Sequence, residues 1–571
     1  MLSCPGSKRT SSHRLTPVPP MYIPVSMTDI RRAVLGTVFL VLLFAAAIGR
    51  SPEVASAKRP NIIVIQTDDQ AANLVKAEFR SPNGSYGKVM PNTRKEIFRR
   101  GTEFRNYYAT TPVCSPSRAS LLTGQYPRNN GLVANEGPIG GWQGFQQLPL
   151  YTENVPVSMQ RAGYRTAHFG KLINGYYDSV HDRVETTVPP GWNRWFTTAF
   201  LPGTQYYGYR VNDNGWPVGP FGTGKYKSSG KGLDSKKCTA ARITRPKPGL
   251  RCNYLTDVMS RGAVREIRRK HQSPFFIQVD YQAPHGDVAA PMGPQPASRH
   301  MNTANRTRLP RPANFNESDI TDKSLLIQSF IQSPLSSSQI RNTTKSYRRT
   351  LEALRAVDDG VGAIIKTLRQ TGQLDNTYIF YTSDHGYFQG EHRFSSAKFL
   401  PYEETSSVDM AVRGPDVSRR SKSQEVVGNI DIAATALKLA GAAPDYSVDG
   451  RTLHRYWKDP DLTSRRAIEI SLLNPRGSGD QVNASISAKA PALRYKAFRV
   501  GPYKYVKYAQ GDIELYDLER DPRELDNVAD APEYSEVLAY MQTYLPSLVK
   551  CAGSECREDL PEWPEPAISG P

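Results

Sequence analysis

Three short apolar runs, each leading into polar and ionisable residues, constrain the fold of this chain more than any other feature. Asn61-Ile62-Ile63-Val64-Ile65-Gln66 runs into Thr67-Asp68-Asp69. Phe275-Phe276-Ile277-Gln278-Val279 leads to Ala283-Pro284-His285, and Tyr378-Ile379-Phe380-Tyr381 runs into Thr382-Ser383-Asp384-His385-Gly386. Successive β-branched and aromatic residues read as strands buried on both faces, the pattern of a parallel sheet. Between the runs lie segments of helical period, notably Tyr347 to Leu368 and Asp431 to Leu439. Strands alternating with helices predict an α/β fold, a large and mostly parallel sheet sandwiched by helices. Ligands bind such sheets beyond the carboxyl ends of the strands, where all three runs place acids or histidines.

The rest of the chain divides unevenly. Residues 202–252 are rich in Gly, Tyr and Lys with little periodicity, and read as a long loop or hairpin insertion near the site. After about residue 470 the texture changes. Phe498 to Tyr508 and Ile513 to Leu518 alternate like hairpin strands, and Tyr534 to Val549 reads as a closing helix. We therefore expect a main domain over 58–470 and a smaller α+β unit over 471–571. With 39% hydrophobic residues and 10% aromatics the 571-residue chain supports a sizeable core, which excludes disorder, collagen and coiled coil.

The first 57 residues read as a leader. Arg31-Arg32 precede an apolar run from Ala33 to Ile48, followed by the small-x-small sequence Ala55-Ser56-Ala57. This is the pattern of a secretory signal peptide, and the run is short for a bilayer span, so stable membrane insertion is not expected. Export predicts a secreted, periplasmic or extracellular protein, or a lysosomal one in a eukaryote. Cleavage would remove six basic and two acidic residues and lower the formal charge from +19 to +15. That charge suits a polyanionic partner, and no recognised nucleic-acid module accompanies it. In an oxidising compartment Cys238 with Cys252, and Cys551 with Cys556, are the natural local disulfides. Cys4 leaves with the leader, and Cys114 is left without a partner. Five Asn-x-Ser/Thr sequons (Asn83, Asn305, Asn316, Asn342, Asn483) are glycosylation candidates in a eukaryote.

Cys114 opens the sharpest motif, Cys114-Ser115-Pro116-Ser117-Arg118-Ala119-Ser120-Leu121-Leu122-Thr123-Gly124. The stretch C-x-P-S-R-x-x-x-L-T-G resembles the signature of type I sulfatases of the alkaline phosphatase superfamily. The resemblance implies an alkaline phosphatase-like fold. It also implies that a separate formylglycine-generating enzyme oxidises Cys114 to Cα-formylglycine. Asp68 and Asp69 match the family's first acidic pair, and Asp384 its later metal-binding aspartate. The next position, often Asn in sulfatases, is His385 here. Asp68, Asp69, Asp384, His385 and the modified Cys114 are thus the implied metal ligands. Three carboxylates suit Ca²⁺, and the imidazole would also suit Mn²⁺ or Zn²⁺. Arg118, Lys171 in Phe169-Gly170-Lys171, and Lys398 in Lys398-Phe399-Leu400-Pro401-Tyr402-Glu403 match the cations that face the sulfate, and His285 matches the histidine at the leaving oxygen.

One departure narrows the comparison. Many sulfatases carry a histidine two residues after the first lysine, where this chain has Ile173 followed by Asn174. Gly170-Lys171-Leu172-Ile173-Asn174-Gly175-Tyr176 is similar instead to a run of N-acetylglucosamine-6-sulfatases and heparan endosulfatases. Asn174 is therefore a substrate-binding candidate, as is His392 in Gly390-Glu391-His392-Arg393, while His168 reads as structural. Gly501-Pro502-Tyr503-Lys504-Tyr505 and Glu514 to Pro522 resemble the family's final hairpin. The implied reaction is hydrolysis of a sulfate ester, with a sulfated carbohydrate as substrate. A hydroxyl of the hydrated aldehyde, activated by the metal, attacks sulfur. Lys171, Lys398 and Arg118 neutralise the sulfuryl oxygens, and His285 protonates the leaving oxygen. Two alternatives stay open: a phosphodiesterase or phosphonate monoester hydrolase on the same scaffold, which His385 suggests, and a non-catalytic binder of sulfated glycans.

Overall fold

The computed structural model describes residues 59–177, 183–199, 205–222, 252–287, 293–331, 333–473 and 493–567, with positions 17, 19–21, 234, 238–240, 243 and 290 besides. Nearly all of the expected leader, most of the 202–252 insertion and the sequon at Asn483 lie outside the described residues. Among the described residues no helix is long and apolar enough to cross a membrane.

Among the described residues twelve strands precede residue 429: β1 (Asn61–Thr67), β2 (Glu78–Arg80), β3 (Tyr86–Lys88), β4 (Thr102–Tyr108), β5 (Arg165–Gly170), β6 (Arg194–Ala199), β7 (Tyr209–Asp213), β8 (Trp216–Phe221), β9 (Phe275–Asp280), β10 (Thr377–Ser383), β11 (Met410–Arg413) and β12 (Ser421–Gly428). Apart from the β2–β3 hairpin they form one ten-stranded sheet in the order β12-β4-β11-β10-β1-β9-β5-β6-β7-β8. The three runs singled out in the sequence are its centre. β1 lies between β10 and β9 and is parallel to both, with Thr67 opposite Ser383 and Gln66 opposite Asp280. This register brings three carboxyl ends to one edge, so the polar residues that follow them converge. β5 extends the parallel set beside β9, with Gly170 opposite Asp280. The start of the expected insertion is a hairpin, β7–β8, added antiparallel at the sheet edge.

Six helices carry the argument: α1 (Pro91–Glu96), α2 (Cys114–Thr123), α3 (Leu255–Arg268), α4 (Ser337–Gln370), α5 (Asn429–Ala440) and α6 (Ser535–Leu548). Successive side chains of a strand point to opposite faces, and β1 shows the consequence. Ile63 and Ile65 join a core with Val258 of α3 and Leu354 of α4, while Ile62 and Val64 join a second core with Leu121 of α2 and Leu437 of α5. Helix α4 begins at Ser337, not Tyr347, because Ser336 and Gln339 form a capping box ahead of the periodic segment.

A second, four-stranded antiparallel sheet follows: β13 (Ile468–Leu472), β14 (Tyr495–Val500), β15 (Tyr503–Tyr508) and β16 (Ile513–Asp517). It starts at Ile468, just ahead of the expected boundary at 471. Val537 and Met541 of α6 pack against its Phe498 and Tyr505. Both local disulfides form, Cys238–Cys252 and Cys551–Cys556, and Cys114 is a buried free cysteine.

The double-faced burial of β1 makes a measurable difference between positions. Ile65 is fully buried, whereas Leu325 is 73% exposed. Urea unfolding of Ile65→Ala should show a loss of about 2–5 kcal/mol from the cavity left in the core. Leu325→Ala should stay within about 0.5 kcal/mol of the parent.

Candidate active site

The site is assembled at the shared edge of β5, β9, β1 and β10. Asp68 and Asp69 leave β1, Asp384 and His385 leave β10, Asp280 ends β9, Lys171 follows β5, and Cys114 opens α2. Asp69 turns the chain off its strand with φ 63°, and its N–H donates to Asp384 Oδ1 at 3.2 Å. Gly170 has φ +123°, and a Cβ there would lie 1.8 Å from the Asp280 carbonyl oxygen. Only glycine fits this approach. It lets the Lys171 N–H donate to that same oxygen at 2.9 Å, which aims the lysine into the site.

The sulfur of Cys114 sits among charges of both signs. Its Sγ is 3.3 Å from Lys398 Nζ, 3.3 Å from His385 Nε2 and 3.6 Å from Asp68 Oδ1. Lys171 Nζ lies 2.7 Å from Asp68 Oδ2, and Arg118 Nη2 lies 3.2 Å from the same oxygen. Lys398 Nζ reaches Asp69 Oδ1 at 3.1 Å and is 3.5 Å from His285 Nε2, which lies 3.6 Å from Asp69 Oδ2. Burial opposes ionisation of Asp68, but Lys171, His285, Arg118 and Lys398 outweigh it and hold the carboxyl far below its ordinary range. Burial, reinforced by Asp68, pushes the Cys114 thiol up to about 12 when only the protein's own groups act on it.

Arg118 is fully buried behind these groups. Its Nε meets Asp384 Oδ2 at 3.0 Å, its Nη1 donates to the Lys171 carbonyl at 2.7 Å, and its Nη1 is 3.8 Å from Asp280 Oδ2. With each nitrogen engaged by the protein, Arg118 positions carboxylates rather than facing outward. Asp280 was not singled out from the sequence. It accepts from Gln278 Nε2 at 2.8 Å and pairs with His168 Nε2 at 3.1 Å. The available signal was its place directly after the second apolar run. His168, stacked 4.8 Å from Trp195, sits inside β5 behind Asp280.

The donor set fits a divalent cation. One ligand atom each from Asp68, Asp69, Cys114 and His385 lies within 4.8 Å of the others, all four residues buried. His385 Nδ1 is 2.9 Å from the Gly386 carbonyl. A carbonyl only accepts, so Nδ1 carries the proton and the Nε2 lone pair faces the group, the arrangement of a metal-ligating histidine. Asp384 stands beside this group, its Oδ1 accepting from the Asp69 and His385 N–H groups and its Oδ2 held by Arg118.

The two substrate-binding candidates part company. Asn174 is half-buried and tied to the motif, its N–H donating to Ser115 Oγ at 3.0 Å. His392 is not brought to the site. It is 1% exposed, with Nδ1 2.6 Å from Glu317 Oε2, Nε2 3.1 Å from Asn314 Nδ2 and its ring stacked 4.5 Å from Tyr402. Both ring nitrogens face protein groups, which leaves none for a substrate. Burial opposes its charge, but hydrogen bonds to Glu317 and Glu404 raise its pKa to about 10.

A mostly parallel sheet with a carboxylate, histidine and lysine cluster around a helix-opening cysteine defines an alkaline phosphatase-like hydrolase. The chain belongs to the sulfatase family, the sulfuric ester hydrolases, whose family model matches residues 60–442. A human N-acetylglucosamine-6-sulfatase is 29% identical over 548 residues, 91% of this chain and 89% of that protein. A Drosophila melanogaster extracellular sulfatase SULF-1 homolog is 30% identical over 72% of this chain. The chain spans only 32% of that fly protein's length, and 48% of a Caenorhabditis elegans Sulf-1 homolog's. Among solved structures, one in complex with its substrate D-glucosamine-2-N,6-O-disulfate superposes with a TM-score of 0.64 at 23% identity, covering 88% of this chain and 98% of that one. The phosphonate monoester hydrolase of Agrobacterium radiobacter superposes with a TM-score of 0.58 at 19% identity, covering 86% and 95%.

Two outcomes follow from this geometry. A divalent cation that fills this site, at about 100 times its Kd, should stabilise the protein by ~2.7 kcal/mol. Thermal melts of Asp69→Ala should show no such response, and a chelator should abolish it in the parent. His392, with its folded pKa raised above the ordinary 6.5 to about 10, contributes stability fully present below pH 6.5 and lost as pH rises through 10. The stability gap between the parent and His392→Gln, followed by denaturation across pH, should shrink over that window.

Proposed function

We propose that this protein is an exported sulfatase that hydrolyses sulfate esters of a sulfated carbohydrate, of the glucosamine-6-sulfate kind, with Cys114 converted to Cα-formylglycine. The observation that carries the reading is the seat of Cys114. It opens a helix inside a ring of Asp68, His385 and Lys398, in a motif of the kind that formylglycine-dependent sulfatases share. The N-acetylglucosamine-6-sulfatase relative and the run around Lys171 and Asn174 support the sugar class.

The chain's own residues have distinct parts in this reaction. Asp68, Asp69, Asp384 and His385 would hold a divalent ion, Ca²⁺ by its carboxylates and Mn²⁺ or Zn²⁺ by its imidazole. When bound, that ion supplies Lewis acidity beside residue 114. Lys171 and Lys398 bring two ammonium groups to the face where sulfuryl oxygens would lie and oppose their growing negative charge. His285 Nδ1 is 2.8 Å from the Gly286 carbonyl, so that nitrogen keeps its proton. Nε2 is then the nitrogen that faces the site, and in the imidazolium form it carries the second proton, which it gives to the leaving alcohol oxygen. Asn174 lies at the half-buried rim, where it would contact the sugar.

The imidazole of His385 and the likeness to a phosphonate monoester hydrolase favour one second reading, phosphonate or phosphodiester hydrolysis on the same scaffold. Two measurements decide. The tryptic peptide across Cys114 should be lighter by the difference between CH₂SH and CHO. A thiol of unchanged mass would leave only a binder of sulfated glycans. Sulfate release from glucosamine-6-sulfate should vanish in Cys114→Ala, and activity retained in that variant would sink the mechanism. Aryl phosphonate turnover exceeding aryl sulfate turnover would favour the second reading.

A further inference from the structure

Four arginines from three segments meet in one cleft away from Cys114. Arg100, Arg369, Arg413 and Arg419 line a space of about 320 Å³ together with Asp375. Arg413 ends β11, where β11 pairs antiparallel with β10 and Ile379 lies opposite Arg413. The candidate active-site acids follow Ser383, at the other end of β10. At about 3.3 Å per residue, roughly 15 Å of strand separates the two places.

Negative charge in the cleft is scarce. Arg369 Nη2 is 3.0 Å, Arg413 Nη1 3.5 Å and Arg100 Nε 3.8 Å from a single oxygen, Oε2 of Glu96. Together with Asp375 that makes two carboxylates, which do not offset four guanidinium groups. Arg419 has no ion-pair partner among the described residues. Arg413 is the fixed element, 9% exposed. Its Nη1 donates to the Glu96 carbonyl at 2.9 Å, and among the described residues its Nε and Nη2 have no partner. Burial lowers its pKa, and Arg100 and Arg369 add to that against the pull of Glu96.

The frame around these side chains is tied together by hydrogen bonds between two helices. Glu96 ends α1 and Arg369 lies in the last turn of α4. Asp358 of α4 caps the start of α1, accepting from the Thr93 N–H at 2.7 Å and the Asn92 N–H at 3.1 Å.

We propose that this cleft is an anion-binding exosite that takes sulfate or carboxylate groups of a polyanionic polysaccharide, at a distance from the reacting ester. Planar guanidinium groups match such anions with paired N–H donors. The choice of a polysaccharide rests on the sulfatase reading. A monosulfated sugar seated at Cys114 does not span the sheet, whereas a chain with repeated charges reaches both places.

The test reads binding, so it does not depend on turnover. In a Cys114→Ala background, heparin and inorganic sulfate are titrated by calorimetry at several salt concentrations. Arg369→Ala with Arg419→Ala should weaken heparin binding about tenfold near 0.15 M salt and flatten its salt dependence, as loss of two phosphate-type contacts does for nucleic-acid binders. Arg265→Ala with Lys270→Ala, exposed on or beside α3 and equal in charge change, should leave affinity within about twofold by the same reasoning. Equal losses in the two pairs would overturn the proposal, since net charge alone would then hold the polymer. Inorganic sulfate bound as tightly as heparin would overturn it too, by making a small free anion the ligand. In the Cys114 parent, the cleft pair should leave aryl sulfate turnover unchanged. Absence of aryl sulfate turnover in the parent itself would strike the sulfatase reading and leave the binding result standing.

Discussion

Carboxylates that three strands deliver to one point repel one another, and the fold depends on how that repulsion is offset. Asp68, Asp280 and Asp384 end or follow β1, β9 and β10, and all three are fully buried. Arg118 lies among them with no exposed surface, at 3.2, 3.8 and 3.0 Å. Buried charge is costly unless paired and hydrogen-bonded, and this guanidinium offsets the repulsion where the strand ends meet. Its position one helical turn after Cys114 ties the start of α2 to the same point. The fold, the acids and the reactive residue are therefore one electrostatic arrangement. Lys171 and Lys398 then pair with Asp68 and Asp69, at 2.7 and 3.1 Å.

Legibility followed chain distance. The central strands were readable because each is a continuous apolar run, and the site was readable because acids follow those runs directly. The cysteine motif placed Arg118 without any structure. Other features depend on pairings that no spacing records. Asp280 directly follows the second apolar run, but its partners His168 and Arg118 met it only when β9 was laid beside β5 and β1. His392, in a sequence full of polar residues, read as a substrate contact, yet Glu317, 75 residues earlier in the chain, encloses it together with Glu404. The early start of α4 was written in Ser336 and Gln339, a capping box that lies outside the periodic pattern. The arginine cleft gathers Arg100, Arg369, Arg413 and Arg419 from three regions, and nothing local marks them as neighbours.

The position of His392 explains why the second sheet matters to the site. Lys398 is carried by a segment between His392 and Glu404, with no strand or helix of its own until Glu403. That segment is held from behind. Its early end is fixed by His392, which meets Glu317 at 2.6 Å and lies 3.6 Å from Glu404. Its late end is fixed by the Glu403 N–H, which donates to Glu524 at 2.7 Å. Lys504 of β15 joins the two acids, 3.0 Å from Glu403 and 2.6 Å from Glu524. Buried ion networks of this kind specify one geometry when every member is paired. The antiparallel sheet thus braces the lysine that approaches Cys114 and Asp69, although none of its own residues reaches the site. In this arrangement His392 and Lys504 touch the segment that carries Lys398 and not the cluster around Cys114. The last hundred residues of the chain thus help to place a side chain 3.3 Å from the Cys114 sulfur.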